Sequence, residues 1–277
     1  MKIKHLLCFI ALCLFFTPGK AQQLSVMTLR NGATVYIWED KSKPDVFGMI
    51  AFKVGSVDDP EQYTGLAHYL EHVMFKGTQT IDALDWEKEK PIYEKIIAKY
   101  DERAALSDPA AREAVDKEIN DLTREAAQYA AGNEFSLLVD HMGGQGLNAS
   151  TGYDQTEYHN SFPPSQLEKW LEIYSERLID PVFRGFQTEL EAVYEEYNMY
   201  NDDRGSRMRE FIYEQAFGDH PYARPIIGLP EHLKNPQLSK LIDFYNTWYG
   251  PQNMSIILVG NCLLYTSPSP RDYAASR

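Results

Sequence analysis

Gly65-Leu66-Ala67-His68-Tyr69-Leu70-Glu71-His72-Val73-Met74-Phe75 is the stretch around which the rest of the sequence is organised. It predicts one helix with Thr64 as the N-cap, because a threonine hydroxyl can accept a hydrogen bond from a free amide of the first turn. His68 and His72 are four residues apart, so their imidazoles lie on one face and can reach one metal ion. Glu71 projects toward the same side. This H-x-x-E-H arrangement is typical of a zinc site whose carboxylate handles the proton of a metal-bound water.

The histidine pair needs a third ligand, since two surface histidines one turn apart would give the same pattern. An amphipathic helix is predicted from about Gln187 to Asn201, and Glu196 interrupts its apolar stripe. A carboxylate in that place is costly unless it is paired or bound to a cation. We therefore predict Glu196 as the third ligand and Glu189, two turns earlier, as a residue that supports a ligand from behind. A surface glutamate whose stem lies over the core is the alternative.

Composition bounds the class of protein. The chain has 277 residues, of which 44% are hydrophobic and 24% charged, enough for one large domain or two small ones. Its net charge is -13, so no basic surplus exists to replace counterions on phosphate, which argues against a nucleic-acid partner. The same charge disfavours anchoring on anionic lipid.

The N-terminus predicts export. Met1–Ala21 has two early lysines, an apolar run from Leu6 to Phe16 and small residues before Gln22, which is typical of a signal peptide. The run is too short for a stable membrane span, so we expect the bacterial periplasm or the extracellular space. Cys8 and Cys13 leave with the signal, and a mature chain with one cysteine has no internal disulfide.

Strand signals predict an α+β fold with a mostly antiparallel sheet packed against helices. Leu24–Arg30 and Ala33–Glu39 are β-rich runs joined by Asn31-Gly32, a strong hairpin signal. Val46–Val54 and Asn253–Val259 add two more strands. Strands and helices follow one another in mixed order with hairpins, which favours this architecture over a doubly wound sheet.

A glycine-rich segment, Gly143–Gly146, leads into a polar strand that contains Asn148, Ala149, Ser150 and Thr151. Such a strand suits a sheet edge whose unpaired amides can bind another extended chain. An ordinary hairpin would give the same pattern.

Residues 84–131 predict an inserted helical hairpin. Apolar residues recur there at helical spacing among many charges, and Ser107-Asp108-Pro109 divides the two runs. Asp108 is predicted as the N-cap of the second helix and Pro109 as its first residue. The favoured interpretation is a solvated appendage without chemistry, and the alternative is a lid or a partner-docking arm.

The motifs together resemble those of one family. His68-Tyr69-Leu70-Glu71-His72, followed by Phe75-Lys76-Gly77-Thr78, resembles the inverted zinc motif and trailing F-x-G-T of the insulinase/pitrilysin family of zinc metallopeptidases. Other segments resemble the edge strand, the third-ligand helix and the later loops of that family: Leu147–Thr151, Thr156–Tyr158, Glu189–Glu196, His220–Gly228 and Tyr249–Gly260. The resemblance spans roughly Val26 to Gly260.

The resemblance implies one Zn²⁺ per domain, bound by His68, His72 and Glu196, with Glu71 as the proton carrier. Bound peptide would lie along residues 148–151. Family members work as two related halves, so a second homologous half, fused or separate, is the implied partner.

The sequence departs from the family in two ways. Glu196 lies 124 residues after His72, which is longer than usual, and the insert at about 84–131 would absorb the excess. The chain also stops after the N-terminal half. We interpret 22–261 as the metallopeptidase domain and 262–277, where the composition shifts abruptly, as a doubtful tail that is not native sequence.

These observations predict a zinc endopeptidase domain that hydrolyses peptides or small proteins. The alternative is a non-catalytic or incomplete subunit that binds peptides or a partner half. A purely structural zinc domain is disfavoured, because the chain lacks a fourth ligand and any cysteine pair.

Overall fold

The hairpin predicted at Asn31-Gly32 opens the sheet. Gly32 has a φ of 95°, and the Asn31 side-chain oxygen accepts a hydrogen bond from the Ala33 amide at 3.2 Å, so the turn closes locally. The computed structural model describes residues 24–262. The predicted export signal, Met1–Ala21, and residues 263–277 of the predicted tail lie outside the described residues.

Six strands and nine α-helices form within residues 24–262. The strands are β1 (Leu24–Thr28), β2 (Thr34–Glu39), β3 (Val46–Phe52), β4 (Gln145–Thr151), β5 (Thr156–Phe162) and β6 (Met254–Gly260). The helices are α1 (Leu66–Val73), α2 (Trp86–Ala105), α3 (Pro109–Ala126), α4 (Glu134–His141), α5 (Leu167–Ile179), α6 (Phe186–Asp202), α7 (Arg204–Phe217), α8 (Pro230–Leu233) and α9 (Leu238–Trp248). Across the described part of the chain, every helix is too short or too polar to cross a membrane.

The sheet has the strand order β1-β2-β6-β3-β5-β4. Only β2 and β6 pair in parallel, and the other neighbours are antiparallel, so the predicted α+β fold with a mostly antiparallel sheet is confirmed. β6 arrives from the far end of the chain and lies between β2 and β3. β4 lies at one edge of the described sheet and contains a bulge between Gln145 and Asn148.

One face of the sheet carries the core. Val46, Ile50 and Phe52 of β3 are buried, and the Phe162 ring of β5 stacks on Trp170 of α5 with ring centroids 5.1 Å apart. This alternation follows from the two-residue period of a strand with one buried face. The buried apolar residues of α1 pack into this same core.

The N-terminus of α1 differs from the prediction. Thr64 is not the N-cap: Gly65 occupies that position with a φ of 89°, and the Thr64 hydroxyl accepts a hydrogen bond from the Leu229 amide at 2.9 Å. The free amides of the first turn are bound instead by the Asp59 carboxylate, at 2.7 Å from Gly65 N and 2.9 Å from Ala67 N. Burial raises the pKa of Asp59 to about 7 against the opposing effect of these two bonds. A residue of the preceding loop therefore does the capping.

The inserted hairpin forms as two helices, α2 and α3. The Asp108 carboxylate accepts a hydrogen bond from the Ala111 amide at 3.0 Å, and Pro109 is the first residue of α3, so the predicted cap is confirmed. The ends of the insert meet, because Ala83 and Ala130 form an isolated antiparallel bridge. The sequence distance between His72 and Glu196 is thus absorbed without separating α1 from α6.

The favoured interpretation of the insert as a solvated appendage is wrong. Its apolar seam is buried in the same core as the rest of the domain, through Ile92, Ile96, Tyr100, Val115 and Ile119. The many charged residues of the insert favoured exposure to solvent. A narrow apolar stripe on a charged helix does not indicate which other element packs against it.

Candidate metal centre

α1 presents the two histidines on one face. The rings of His68 and His72 have centroids 4.9 Å apart and lie nearly at right angles, at 72°. The opposite face of α1 carries Leu70 and Val73, which are fully buried. The helix is therefore held by its apolar side while both imidazoles face the same space.

α6 brings the glutamate. It packs against α1, and one Glu196 oxygen, Oε2, lies 3.5 Å from Nε2 of His68 and 3.5 Å from Nε2 of His72. The ligand atoms of the three residues all lie within 4.8 Å of one another. The predicted ligands, 124 residues apart in sequence, thus form one group.

Glu189 lies behind His72. Its Oε2 is 3.5 Å from the second ring nitrogen, Nδ1, and its Oε1 is 2.5 Å from the Lys76 ammonium. A carboxylate on the outer nitrogen of an imidazole orients the ring and directs the other nitrogen toward a metal. The structure thus brings Glu189 to His72, and its supporting role at a metal stays a prediction.

The electrostatics of the group favour a cation. Burial and the neighbouring His72 lower the pKa of His68 to about 4, so its imidazole is neutral, as a metal ligand must be. Burial also acts to lower the pKa of His72, but its hydrogen bonds with Glu189 and Glu196 outweigh burial and raise the pKa to about 9. The carboxylates therefore hold a positive charge at His72, and a metal ion between the ligand atoms would take the place of that proton.

The donor set fits zinc. Two imidazole nitrogens and one carboxylate oxygen are a set used by catalytic zinc sites, which keep a fourth position open. The group is partly buried, with side-chain exposures of 11% for His68, 25% for His72 and 31% for Glu196. One side of the group is thus accessible from outside.

Glu71 lies beside this group and is held by Thr151. The Thr151 hydroxyl donates a hydrogen bond to Glu71 Oε2 at 2.6 Å. Burial raises the pKa of the Glu71 carboxyl, and the bond from Thr151 opposes that rise. The sequence predicted Thr151 as part of the substrate strand but did not predict its contact with Glu71. The two residues are 80 positions apart, and no local pattern links residues so distant in sequence.

The other residues of the predicted substrate strand lie on β4. Asn148 and Ser150 are exposed, and Ala149 points into the core. The Ser150 hydroxyl donates to Glu157 Oε1 of the neighbouring strand at 3.0 Å. Side chains of β4 alternate between the two faces, while its outer backbone edge pairs with no described strand. Peptide binding at residues 148–151 stays a prediction.

Sequence reasoning also missed Arg177 of α5, which is 1% exposed. Its Nε donates a hydrogen bond to the Met74 carbonyl oxygen at the end of α1, at 2.9 Å. Its guanidinium lies 4.2 to 5.7 Å from the centroids of four aromatic rings: Phe75, Phe135, Tyr158 and Tyr174. A buried cation among rings is stabilised by their quadrupoles. Arg177 therefore secures the C-terminal end of the histidine helix.

Two histidines on one helix and a glutamate from a second helix thus form a candidate metal centre in an α+β domain with a mostly antiparallel sheet. The family model described as Insulinase (Peptidase family M16) matches residues 34–90 and 120–229. The chain belongs to this family, which confirms the resemblance. The match is interrupted over residues 91–119, which make up most of α2 and part of α3.

Curated relatives are zinc proteases. An uncharacterized zinc protease of Mycobacterium leprae is 26% identical over 210 residues, covering 75% of this chain and 36% of the relative. Zinc protease PqqE of Helicobacter pylori is 25% identical over 239 residues, covering 85% of this chain and 43% of the relative. The chain thus spans less than half the length of these relatives.

Solved structures share the fold. A protease from Helicobacter pylori has a TM-score of 0.67 at 22% identity, covering 88% of this chain and 48% of that one. The periplasmic protease PqqL from Escherichia coli has the same TM-score and identity, covering 92% and 24%. The first half of PqqL has a TM-score of 0.63 at 23% identity, covering 91% and 45%. The chain therefore has the fold of one part of larger proteases.

Proposed function

We propose that this chain is the metal-binding part of a zinc endopeptidase that hydrolyses peptides or small proteins. The observation that carries the proposal is the convergence of His68, His72 and Glu196 beside Glu71. Membership of a peptidase family and relatives named zinc proteases support it.

His68, His72 and Glu196 would hold Zn²⁺, with Glu189 orienting the His72 ring. Zinc bound there supplies a Lewis acid that polarises a scissile carbonyl and lowers the pKa of a water molecule. Two neutral imidazoles and one carboxylate leave a net positive charge at the metal, which suits that chemistry.

Glu71 carries the proton in this proposal. Its carboxylate takes a proton from the attacking water and delivers it to the nitrogen of the leaving amine. A carboxyl group does both best when its pKa lies near the working pH, and burial moves the pKa of Glu71 upward in that direction. The bond from Thr151 limits the rise and fixes the orientation of the carboxylate.

The substrate would be an extended chain that adds to the edge of β4. The backbone of Asn148, Ala149, Ser150 and Thr151 would pair with it, and α1 lies against the same strand. In strand addition, the hydrogen bonds to the substrate come from the main chain. A binding segment can therefore contain side chains as different as those of residues 148–151.

The proposed setting is the bacterial periplasm or the extracellular space, with a second homologous half as partner. The sequence of Met1–Ala21 supports export, and one structural neighbour is described as a periplasmic protease. The short coverage of the relatives supports a larger assembly. The second candidate is a non-catalytic or incomplete subunit that binds peptides or a partner half.

Zinc content and peptide cleavage separate the two candidates. We expect one zinc per domain by elemental analysis, and hydrolysis of a quenched fluorescent peptide when the second half is supplied. A chelator should abolish cleavage, and zinc should restore it. Zinc-loaded protein that leaves every peptide of a random pool intact, even with the second half present, would favour the non-catalytic subunit.

Thr151→Val should move the acidic limb of the pH profile. Valine keeps the shape of threonine and removes the hydrogen bond that lowers the pKa of Glu71. The pKa of Glu71 should therefore rise, and the acidic limb of kcat/KM should shift to higher pH. Ser150→Ala is the matched control, because that hydroxyl binds Glu157 instead. Equal profiles for Thr151→Val and the wild type would contradict this role.

A further inference from the structure

The inserted hairpin is joined to the metal centre by a buried ion pair. Glu89, in the first turn of α2, is 1% exposed. Its two oxygens accept hydrogen bonds from Nε and Nη2 of Arg184, at 2.6 and 2.8 Å. Arg184 precedes α6, the helix that carries Glu189 and Glu196. A forked pair of this kind fixes both groups in direction as well as in distance.

Arg184 continues the connection toward His72. Its Nη1 donates a hydrogen bond to the Lys76 carbonyl oxygen at 3.2 Å. The Lys76 ammonium lies 2.5 Å from Glu189 Oε1, and Glu189 Oε2 lies 3.5 Å from His72 Nδ1. Arg184 thus contacts the backbone of Lys76, and the side chain of the same residue contacts Glu189. Two sets of polar contacts, joined through the covalent structure of Lys76, lead from the insert to the outer nitrogen of a candidate ligand.

A second connection is apolar. Tyr100 of α2 has its ring centroid 4.8 Å from that of Phe186, the first residue of α6. Phe186 in turn lies 4.8 Å from Tyr69 of α1, whose hydroxyl donates to the Phe186 carbonyl oxygen. The insert therefore contacts the start of α6, which itself contacts α1 next to His68.

We propose that the insert is the outer support of the metal centre and that Glu89 is a positioning residue for Glu189 and His72. This rests on the proposed function. Removing the Glu89 charge leaves Arg184, whose side chain is 10% exposed, without its anion. An unpaired buried charge is costly, so Arg184 must reorganise. Its bond to the Lys76 carbonyl oxygen is then lost, so the backbone of Lys76 can shift and its ammonium is held less firmly against Glu189.

The test is zinc affinity, measured by competition with a chromophoric chelator on the purified protein. Changing a residue that contacts a ligand directly weakens metal binding about 10- to 100-fold. Glu89 acts through two further residues, so we expect Glu89→Gln to weaken zinc binding by about 3- to 10-fold, below that range. Asp116→Asn is the control, because it removes an ion pair with Arg103 that lies within the insert.

A double-mutant cycle separates positioning from general destabilisation. In a Glu189→Gln background the path to His72 is already broken, so Glu89→Gln should cause little further loss of zinc affinity. A merely structural role would lower the melting temperature of the metal-free protein and leave no such coupling. Should Glu89→Gln not fold, Arg184→Lys keeps the charge and removes the fork, and the same loss of zinc affinity and the same coupling are expected.

Three results would overturn the inference: wild-type zinc affinity in Glu89→Gln, an equal loss in both backgrounds, or an equal loss in Asp116→Asn. The wild-type protein distinguishes this failure from that of the proposed function. A wild type that binds zinc with an unaffected Glu89→Gln variant refutes only the role of the insert. A wild type that binds no zinc refutes both.

Discussion

Glu71→Gln is expected to lower kcat/KM for peptide hydrolysis by about 10²- to 10⁴-fold, the usual contribution of a general acid–base group. Glutamine keeps the shape of glutamate and can still accept a hydrogen bond from Thr151, but it cannot take up a proton. His68, His72 and Glu196 are unchanged, so zinc content should equal that of the wild type. The measurement pairs initial rates on a quenched peptide with elemental analysis, in the complete protein together with its second half.

Glu157→Gln is the matched control for this variant. Glu157 is a carboxylate on the neighbouring strand and binds the Ser150 hydroxyl, whereas Glu71 is bound by Thr151. It should retain hydrolysis. Full hydrolysis by purified Glu71→Gln would refute the proton-carrying role, and loss of zinc in that variant would mean that Glu71 is needed for metal binding instead.

Glu196→Gln is expected to remove zinc binding and hydrolysis together. A neutral amide oxygen replaces one of three ligands and the charge that balances the metal, so affinity should fall by more than the roughly 100-fold that loss of a supporting residue can cause. Chelator competition measures the affinity, and circular dichroism checks that the fold is kept. Peptide cleavage should fall to background at zinc concentrations that saturate the wild type.

Glu195→Gln is the control that makes this test specific. It lies next to Glu196 on the same helix and makes the same chemical change, but its side chain is exposed. Zinc affinity should stay at the wild-type value. If Glu196→Gln bound zinc as tightly as Glu195→Gln does, the third ligand would have to be another residue and the assignment of α6 would be wrong.

The sequence predicted the structural features that depend on residues close to one another along the chain. The α1 histidines, the Asp108 cap and the Asn31-Gly32 turn depend on residues within a few positions of one another, where backbone geometry sets the distances. Glu196 was predicted as a ligand by a related argument, because a carboxylate in an apolar stripe needs a partner. The family followed from several such motifs taken together.

Tertiary structure alone decided the contacts between distant segments. Asp59 rather than Thr64 caps α1, because a loop carboxylate can reach amides that an adjacent hydroxyl does not. Thr151 reaches Glu71 across 80 positions, and Glu89 reaches Arg184 across 95. Period and propensity describe which face of an element is apolar, but they carry no information on what covers it. For this protein, sequence alone predicted which side chains are the candidate ligands, because their chemistry and spacing are local, and packing decided what holds them in place.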